Sequence, residues 1–459
     1  MAKRYKHSLS NYRLLTGDMG WLYPCQLQEV LPGDSVRAHS TALIRFSPLL
    51  APVMHPVTVR IHHWFVPNRL VWSGWEDFIT GGERGADNQT VPQVPHIPGT
   101  ENVFDYLGIA GAGGEFVNAM PIRAYNMIYN EFYRDQDIVN VLPESNILIQ
   151  NCAWEKDYLT TSRPTPQKGP DITIPLAQDA PVYAVGAGTG SKDTYYVDDD
   201  DSILTGPAGV PFTTDLTGAT ATNVNDWRRA FALQRYQEAR NRFGGRFAEY
   251  LAYLGVNAPD SRLQRPEYLG GGKTTVNFSE VLQTAEGAST PVGEMKGHGI
   301  AAVRTRPFTR HFNEHGYFMS IISVRPKTVY MDNIPRTFLR REKEDYWQKE
   351  LEQIGMQTVY QGEVQADSAT LYDTFGYQDR YSEYKRTLSQ VCGEFRNILD
   401  HWHLGRELEE TATLNGHFIK CLASKRIFAE QNQHSLWMMV QNNVKARRLV
   451  RRNASNRII

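Results

Sequence analysis

Residues 34–66 read DSVRAHSTALIRFSPLLAPVMHPVTVRIHHWFV and contain two runs in which apolar and polar residues alternate. The first run covers residues 36–46 and the second residues 57–65, with prolines between them. Alternation that includes β-branched and aromatic residues is typical of a strand with one buried face, and prolines usually lie outside strands. The stretch therefore predicts two strands of a β-rich fold.

The composition of the whole chain favours the same architecture. The sequence has 459 residues, of which 41% are hydrophobic and 11% aromatic, enough for a sizeable core. Its 24 prolines and 36 glycines indicate many connections between short elements. Because this length exceeds one ordinary core, we expect either two domains or one domain with large insertions.

Charge and cysteine usage exclude several classes of protein. Lysine and arginine total 49 against 50 acidic residues, so the chain as a whole is not an electrostatic nucleic-acid binder. The four cysteines form no CxxC pair, which argues against a structural zinc site or a disulfide scaffold and favours a reducing compartment. No signal peptide or long apolar run is present, so we expect a soluble protein made in the cytoplasm.

Helical periodicity occurs in three places. Residues 121–136 carry apolar side chains at intervals of three and four, which predicts an amphipathic helix. NDWRRAFALQRYQEARNRF predicts a second helix, which begins at residue 225 or 226 and ends before Gly244. Residues 247–254 predict a short third helix.

Further strands are predicted at residues 274–278 and 317–331, and short strands with a basic finish within residues 417–450. Residues 171–225 are instead rich in Gly, Thr, Ala and Asp, and therefore predict an exposed excursion from the core. Its aspartate run, residues 198–201, lacks the staggered spacing of a calcium loop. A solvated acidic loop is the simpler interpretation, and a cation site is the alternative.

The stretch RLQRPEYLGGGKTT, residues 262–275, resembles a phosphate-binding P-loop at first sight. That motif needs a glycine five positions before Gly272, where the chain has Glu267, and an apolar strand before the loop. Neither requirement is met. We interpret the glycines as a flexible surface turn that leads into a strand.

Motifs for catalysis or metal binding are weak. His401 and His403 could be two ligands on one strand face, but no third ligand is placed by the sequence, and His62 and His63 would point to opposite faces of a strand. The chain contains neither GxSxG nor HExxH. We therefore predict no catalytic, cofactor-binding or metal residues, and a protein that is not an enzyme.

The two ends of the sequence are basic. Lysines and arginines precede the first acidic residue, Asp18, and others follow the last, Glu430. Gathered on one surface, they would attract phosphates through counterion release, although a solubilising tail or a ligand for an acidic neighbour would have the same composition. The predicted DNA-facing residues are Lys3, Arg4, Lys6, Lys445, Arg447, Arg448, Arg451 and Arg452.

Six blocks of the sequence, in order between about residues 20 and 420, resemble the major capsid proteins of the Microviridae, closest to the gokushovirus branch. These are small icosahedral phages with circular single-stranded DNA. The blocks are EVLPGDSV (29–36), FVPNRLVWSGWEDF (65–78), PIRAYNMIYNEFYRDQD (121–137), YLTTSRPTPQKG (158–169), RLQRPEYLGG (262–271), and FGYQDRYSEYKR (375–386) with LDHWHLGR (399–406).

The resemblance implies a mainly β protein: an eight-stranded antiparallel jelly roll with long, partly helical interstrand insertions, packed as a T=1 shell. Residues 1–459 would form a single domain, residues 171–225 a variable surface insertion at the threefold axes, and residues 440–459 a basic C-terminal tail. The protein would assemble in the bacterial cytoplasm and reside in the virion. Implied partners are copies of itself, packaged single-stranded DNA, a small basic DNA-binding protein, an internal scaffolding protein, a pilot protein, and a host receptor reached through the insertion.

Five aromatic residues are candidate anchors of the core or of subunit interfaces: Trp72, Trp75, Tyr125, Tyr129 and Phe132. Two alternatives to a capsid remain open at this point. In a jelly-roll carbohydrate-binding protein or enzyme, Trp72 and Trp75 would stack on sugar rings. A nucleotide-binding enzyme is weakened by Glu267.

Overall fold

The computed structural model describes most of the chain, in two compact units. The described residues are 4–83, 89–99, 101–111, 113–172, 182–185, 192–194, 212–214, 224–287, 291–366, 369–408 and 412–451. One unit comprises Met1–Pro166 with Gly245–Ile459, and the other Gln167–Gly244. Most of the predicted insertion, residues 171–225, lies outside the described residues.

The described strands are β1 (Tyr5–Ser8), β2 (Asn11–Gly17), β3 (Tyr23–Val30), β4 (Ser35–Phe46), β5 (Val57–Pro67), β6 (Gln93–Pro95), β7 (Phe116–Asn118), β8 (Val182–Val185), β9 (Lys192–Thr194), β10 (Phe212–Thr214), β11 (Glu267–Thr275), β12 (Asn277–Leu282), β13 (Met295–Arg304), β14 (Phe308–His311), β15 (Gly316–Pro326), β16 (Met356–Tyr360), β17 (Thr374–Asp379) and β18 (Leu436–Arg448).

The described helices are α1 (Asn68–Val71), α2 (Trp75–Thr80), α3 (Val103–Leu107), α4 (Met120–Ile128), α5 (Val224–Phe243), α6 (Phe247–Tyr253) and α7 (Gly416–Ile419). A π-helical turn covers Tyr129–Tyr133, and short 3-10 turns lie at Arg336–Phe338, Lys343–Asp345, Gln361–Glu363, Ser382–Tyr384, Gly393–Arg396 and Asp400–Trp402.

The larger sheet of the first unit, sheet I, has the order β1-β18-β4-β13-β12, with β2 beside β18 and β14 beside β4. β1 and β2 pair with successive parts of β18, and β14 and β13 with successive parts of β4, all antiparallel. Burial alternates along β4 and β18, so one face of the sheet lies in the core and the other is exposed. The strand predicted at residues 36–46 is confirmed as β4.

The second large sheet, sheet II, has the antiparallel order β11-β5-β15-β3. The strand predicted at residues 57–65 is confirmed as β5. β15 accounts for the first part of the strand predicted at residues 317–331 and ends at Pro326. Proline lacks the N–H that a continuing ladder would need, which explains the early end.

Sheets I and II bury their inner faces in one hydrophobic cluster. Ile44 of β4 and Val440 of β18 belong to it together with Val59 and Ile61 of β5 and Ile322 of β15, and all five are fully buried. Each such side chain contributes about 1.5–3 kcal/mol when it is removed from water. The fold is therefore mainly β, with antiparallel sheets that pack as a sandwich.

The helix predicted at residues 121–136 is confirmed as α4, but its last part has a different geometry. Pro121 lies in its first turn, where a missing N–H costs nothing. After Ile128 the chain widens into the π-helical turn, in which the N–H of Arg134 donates to the carbonyl of Tyr129 at 2.9 Å. The helical conformation ends at Tyr133, three residues before the predicted end.

The second unit contains the three-stranded sheet β10-β8-β9 and the helix α5. Asp226 in the first turn of α5, and Arg240 with Arg242 in the last, oppose the helix dipole with charges of the stabilising sign. Gly244 ends the helix at φ 101°, a conformation that suits glycine. The helices predicted from residues 225 and 247 are both confirmed, as α5 and α6.

The glycine stretch is part of β11. The prediction of a flexible surface turn at this position is wrong. Gly270, at φ 116°, forms a bulge next to Tyr268, and pairing with β5 then continues to Thr275. A Cβ at Gly271 would lie 2.3 Å from the carbonyl oxygen of Ile61, so only glycine allows this close approach. The sequence could not predict this strand, because glycine is required here by the closeness of the neighbouring backbone, and that closeness is known only from the structure.

The C-terminal region was also predicted incorrectly as several short strands. Residues 416–419 form the helix α7, capped by the Asn415 side chain, which accepts a hydrogen bond from the N–H of Phe418 at 2.9 Å. The only strand in the described part of residues 417–450 is the long β18. Lys445, Arg447 and Arg448 therefore belong to a paired strand of sheet I, and the region 440–459 begins inside the sheet.

Candidate nucleic-acid and assembly surfaces

The two basic ends of the chain meet on the exposed face of sheet I. Lys6 of β1 lies directly opposite Arg447 of β18, and Lys445 lies opposite Arg37 of β4. Directly opposite residues of an antiparallel pair project from the same face, and all four are exposed. Like charges in such positions repel one another, so this surface favours a bound anion.

The basic surface continues across β4 to β13. His39 lies opposite Asn443 of β18, two residues from Arg37. The pKa of His39 is lowered, first by burial and then by three nearby cations. These cations are Arg304, Arg37 and Lys445. We call the exposed residues Lys6, Arg37, Arg304, Lys445 and Arg447 the basic band.

Sequence reasoning predicted three members of this band and missed two. Arg37 occupies the polar phase of the alternating run in β4, so its exposure could have been predicted. Its position opposite Lys445 could not, because register between strands some 400 residues apart leaves no local signal.

The other predicted DNA-facing residues are placed differently. Arg448 points to the opposite side of β18, where its guanidinium donates to the buried carboxylate of Asp34 at 2.7 Å and to the carbonyl of Glu29 at 2.9 Å. Arg4 is exposed beside Gly33, and Arg451 is exposed at the end of the described chain. Lys3 and Arg452 lie outside the described residues.

Two of the five aromatic candidates, Tyr125 and Tyr129, are buried. The Tyr125 hydroxyl donates to the carbonyl of Leu22 at 2.9 Å and accepts from the N–H of Gln150 at 3.0 Å, so it joins α4 to two other segments. Such bonds satisfy the one polar atom of a large apolar side chain.

The other three aromatic candidates are partly exposed and pack on the edge of the main cluster. Phe132 lies against Trp64 with ring centroids 4.2 Å apart. Trp72 contacts Phe78 at 5.4 Å, and Trp75 contacts the same ring at 5.9 Å. Trp72 and Trp75 thus share one neighbour on α2.

The histidines have structural partners. His403 follows a 3-10 turn, not a strand as we had considered. Its Nε2 lies 2.7 Å from the carbonyl of Phe395, and its Nδ1 accepts from the N–H of Gly405 at 2.8 Å. His62 and His63 do lie on opposite faces of β5, where they bond Tyr133 and Ser320 respectively, each at 2.7 Å. In the described parts of the chain, no three His, Cys, Asp or Glu side chains are grouped so that they could hold a metal ion.

Comparison with known proteins decides the family. A family model described as "Capsid protein (F protein)" matches residues 1–453, nearly the whole chain. The chain belongs to the phage F capsid protein family.

Curated relatives agree with this family. Capsid protein VP1 of Bdellovibrio phage phiMH2K is 31% identical over 451 residues, which cover 87% of this chain and 84% of that protein. VP1 of Chlamydia phage 1 is 29% identical, and the alignment covers 88% of this chain and 87% of that protein. VP1 of Spiroplasma virus 4 is 25% identical, and the alignment covers 88% of this chain and 85% of that protein. The resemblance to Microviridae capsid proteins is thereby confirmed.

Membership of this family makes the chain a structural capsid protein and a component of the virion. The family is a structural class and not a class of enzymes. None of the helices in the described segments combines the length and apolar character needed to cross a membrane.

A capsid protein needs surfaces that other subunits cover, and α5 exposes several large apolar side chains. Trp227 is 39% exposed, Phe231 59%, Tyr236 43% and Phe243 52%. They lie on more than one side of the helix, whereas a helix that packs only on its own core shows a single apolar stripe. The outer face of sheet I has a second apolar area, at the end away from the basic band, formed by Tyr12, Leu14, Trp437 and Met439.

Proposed function

We propose that this protein is the major shell subunit of a T=1 icosahedral phage particle that encloses a circular single-stranded DNA genome. The observation that carries the proposal is the family match over residues 1–453, on a sandwich whose sheet I exposes both a basic and an apolar area. Homo-oligomers with closed symmetry bury such areas at repeated contacts. The extent of the match with phages of Chlamydia, Bdellovibrio and Spiroplasma supports placement in the gokushovirus branch.

The strand order supports an eight-stranded jelly roll. If β1 with β2, and β13 with β14, are each counted as one position, sheet I reads β1/β2-β18-β4-β13/β14 and sheet II reads β3-β15-β5-β11. Counted along the chain, these are positions 1-8-3-6 and 2-7-4-5. This is the order that two interleaved Greek keys produce. β12 then extends the β13 edge as an additional strand.

The basic band is the part of this subunit that would face packaged DNA. Lys6, Lys445 and Arg447 are predicted from the sequence to face DNA. We propose the same role for Arg37 and Arg304, which lie beside them. The net charge of -1 means that the subunit cannot neutralise a genome alone. A small basic DNA-binding protein should therefore share the task. An internal scaffolding protein and a pilot protein are further partners that the family resemblance implies.

Residues 171–225 are proposed to form the surface protrusion at the threefold axes and to contact the host receptor. Their polar composition, rich in Gly and Thr, supports exposure. Deletion of residues 186–220 should leave particle assembly intact and impair adsorption to host cells. Particle yield by electron microscopy and adsorption of labelled particles would measure the two effects, and loss of assembly would contradict the proposal.

The alternative of a jelly-roll carbohydrate-binding protein or enzyme has no observation in its favour. Trp72 and Trp75, the proposed sugar platform, each pack on Phe78 at the edge of the core. We propose that the chain has no catalytic role and uses no cofactor.

Cryo-electron microscopy of particles from infected or expressing cells tests the proposal directly. We expect closed T=1 shells, protrusions at the threefold axes and internal density that a single-strand-specific nuclease removes only after the particles are opened. Monodisperse monomers, or closed shells of another triangulation number, would overturn the proposed assembly. Double-stranded contents would overturn the proposed cargo.

A further inference from the structure

A cavity of about 520 Å³ opens between β11 and the turn that joins β13 to β14. The backbone of the glycine stretch, Gly270 to Gly272, lines one side. The lining residues include the cationic Lys273, Arg304 and Arg306 and the aromatic Tyr268 and Phe308. The lining therefore brings cationic and aromatic residues together with glycine backbone, and among the described residues that line the cavity none is acidic.

Gly272 allows β11 to lie close to the turn that joins β13 to β14, at the edge of this cavity. A Cβ at Gly272 would lie 2.9 Å from both the carbonyl oxygen of Arg304 and the Cα of Thr305. The N–H of Arg306 donates to the carbonyl of Gly271 at 3.4 Å, which fixes the turn against β11. The two arginines are thus held beside the glycine backbone by main-chain contacts.

The three cations differ from their neighbours in having no ionic partner. Nearby arginines are paired: Arg310 with Glu267 at 2.6 Å, and Arg265 with Asp260, also at 2.6 Å. Within the described residues, Lys273, Arg304 and Arg306 form no salt bridge. Three unneutralised cations around one space raise its positive potential and favour an anion.

The cavity also continues the basic band. Arg304 belongs to both, since it lines the cavity and lowers the pKa of His39 in the middle of the band. From β13 across β4 and β18 to β1 there are three steps between neighbouring strands, about 14 Å in all. A short single strand of nucleic acid can span that distance, with one phosphate at the cavity and others along the basic band.

We propose that this cavity binds a backbone phosphate of single-stranded DNA and so anchors the packaged strand at the end of the basic band. The inference rests on the proposed enclosure of DNA and adds a specific site to it. Arg304, Arg306 and Lys273 would neutralise the phosphate, and Tyr268, which is 48% exposed, offers a ring on which a base can stack. Binding of this kind carries no sequence preference, because every base presents a π face.

Binding of a fluorescein-labelled oligothymidylate of about 16 nucleotides to the unassembled full-length protein tests the site. Anisotropy titrations between about 50 and 200 mM NaCl give the dependence of log K on log salt concentration. In the variant Lys273→Gln/Arg304→Gln/Arg306→Gln, we expect the magnitude of this slope to fall by about 0.7, since one phosphate contact is lost and each such contact on a single strand accounts for about 0.7. A variant with the wild-type slope, or a wild-type chain without salt-dependent binding, would overturn the inference.

A matched variant, Arg262→Gln/Lys349→Gln/Lys385→Gln, removes the same charge from exposed positions outside the cavity. It should bind as the wild type does, and an equal loss would show that only net charge matters. Replacement of chloride by inorganic phosphate at constant ionic strength should not abolish binding. If it does, the cavity takes a free phosphate and not the nucleic-acid backbone.

Particle formation separates this inference from the proposed function. If the triple variant binds DNA normally but fails to assemble, the cavity is a contact for acidic residues of a second copy, which overturns the inference. If the slope is unchanged while the particles still contain DNA, the inference fails and the proposed function stands. Wild-type particles that lack DNA would count against the proposed function itself.

Discussion

Two residues of sheet II show how single positions constrain this fold: Gly272 of β11 and His63 of β5. Gly272 is surrounded by backbone, which cannot move aside as a flexible side chain would. His63 is fully buried, and its ring nitrogens lie 2.7 Å from the hydroxyl of Ser320 and 3.0 Å from that of Thr305. A change at either position should therefore alter the free energy of unfolding of the whole sandwich.

Substitution of Gly272 by alanine should destabilise the subunit. The new Cβ would lie 2.9 Å from two backbone atoms, and overpacking of this kind costs about 1–3 kcal/mol. Urea denaturation of the unassembled protein measures the loss. Gly416→Ala is the control, because its Cβ would lie 3.4 Å from a side-chain atom of Val139 and it begins a helix. Equal stability of Gly272→Ala and the wild type would contradict the close approach of β11.

His63 should make the subunit less stable in mild acid. Burial lowers its pKa from 6.5 to about 3, so it stays neutral in the folded state while the unfolded chain gains a proton below pH 6.5. Stability is therefore retained above pH 6.5 and falls as the pH decreases from there toward 3. Between pH 7 and pH 5 this group alone should remove about 2 kcal/mol.

The variant His63→Asn isolates that contribution. It should be less stable than the wild type at pH 7 but should lose about 2 kcal/mol less on acidification to pH 5, as measured by urea denaturation. His298→Asn, at an exposed histidine bonded to Ser279, should keep the wild-type pH dependence. A parallel pH response of His63→Asn and the wild type would show that His63 does not remain neutral.

At the scale of elements, β18 organises the sandwich because it lies between β4 on one side and β1 and β2 on the other. Its buried Asn442 accepts a hydrogen bond from Ser40 of β4 at 2.7 Å. The amide of Asn442 donates to Asn11 of β2 at 3.1 Å and to the carbonyl of Cys25 in β3 at 3.0 Å. Since β3 belongs to sheet II, this one side chain links both sheets.

Replacement of Asn442 by alanine should cost about 2–4 kcal/mol, because it leaves several buried polar groups without partners. Asn443→Ala on the same strand is the matched control. Its side chain lies on the outer face opposite His39, and little change is expected. Denaturation of both variants gives the comparison, and a loss below 0.5 kcal/mol for Asn442→Ala would contradict the role of the network.

The elements also show what sequence alone can predict. β4 and β5 were predicted because one face of each is buried, so that apolar and polar residues alternate along the sequence. β11 was missed because its glycines serve contact with neighbouring backbone, and β18 was divided because its exposed phase carries Trp437 and Met439, which are themselves apolar. Three of the five residues of the basic band were predicted from the sequence. That the five lie together on one face could not be predicted, because it depends on the register between distant strands.

At the scale of the whole molecule, surfaces that a single copy leaves exposed become the contacts of an assembly. α5 is the largest helical candidate for such a contact, because Trp227, Phe231, Tyr236 and Phe243 are each at least 39% exposed. Energetically important contacts between proteins are enriched in such side chains. The folded subunit and the assembled particle should therefore respond differently to changes in α5.

The variant Phe231→Glu should fold normally and assemble poorly. The side chain is 59% exposed, so the free energy of unfolding should change by less than about 0.5 kcal/mol. A buried carboxylate at a subunit contact would strongly disfavour assembly. Circular dichroism with urea measures folding, and sedimentation with electron microscopy measures particle yield.

Ala232→Glu is the control for charge, at an exposed neighbouring position on the same helix. It should retain more assembly than Phe231→Glu because it removes no aromatic contact. Wild-type particle yield for Phe231→Glu would exclude this side of α5 from subunit contacts.

The central position of β18 also has a consequence for synthesis on the ribosome. β2 and β4 have no shared neighbour until residues 436–448 have been translated and have left the exit tunnel. Sheet I therefore closes only once β18 is available, through contacts between strands some 400 residues apart in the sequence, which makes its formation slow. A nascent chain interrupted before β18 keeps open strand edges, so it becomes a substrate for chaperones and proteases and does not compete with finished subunits for a place in the shell.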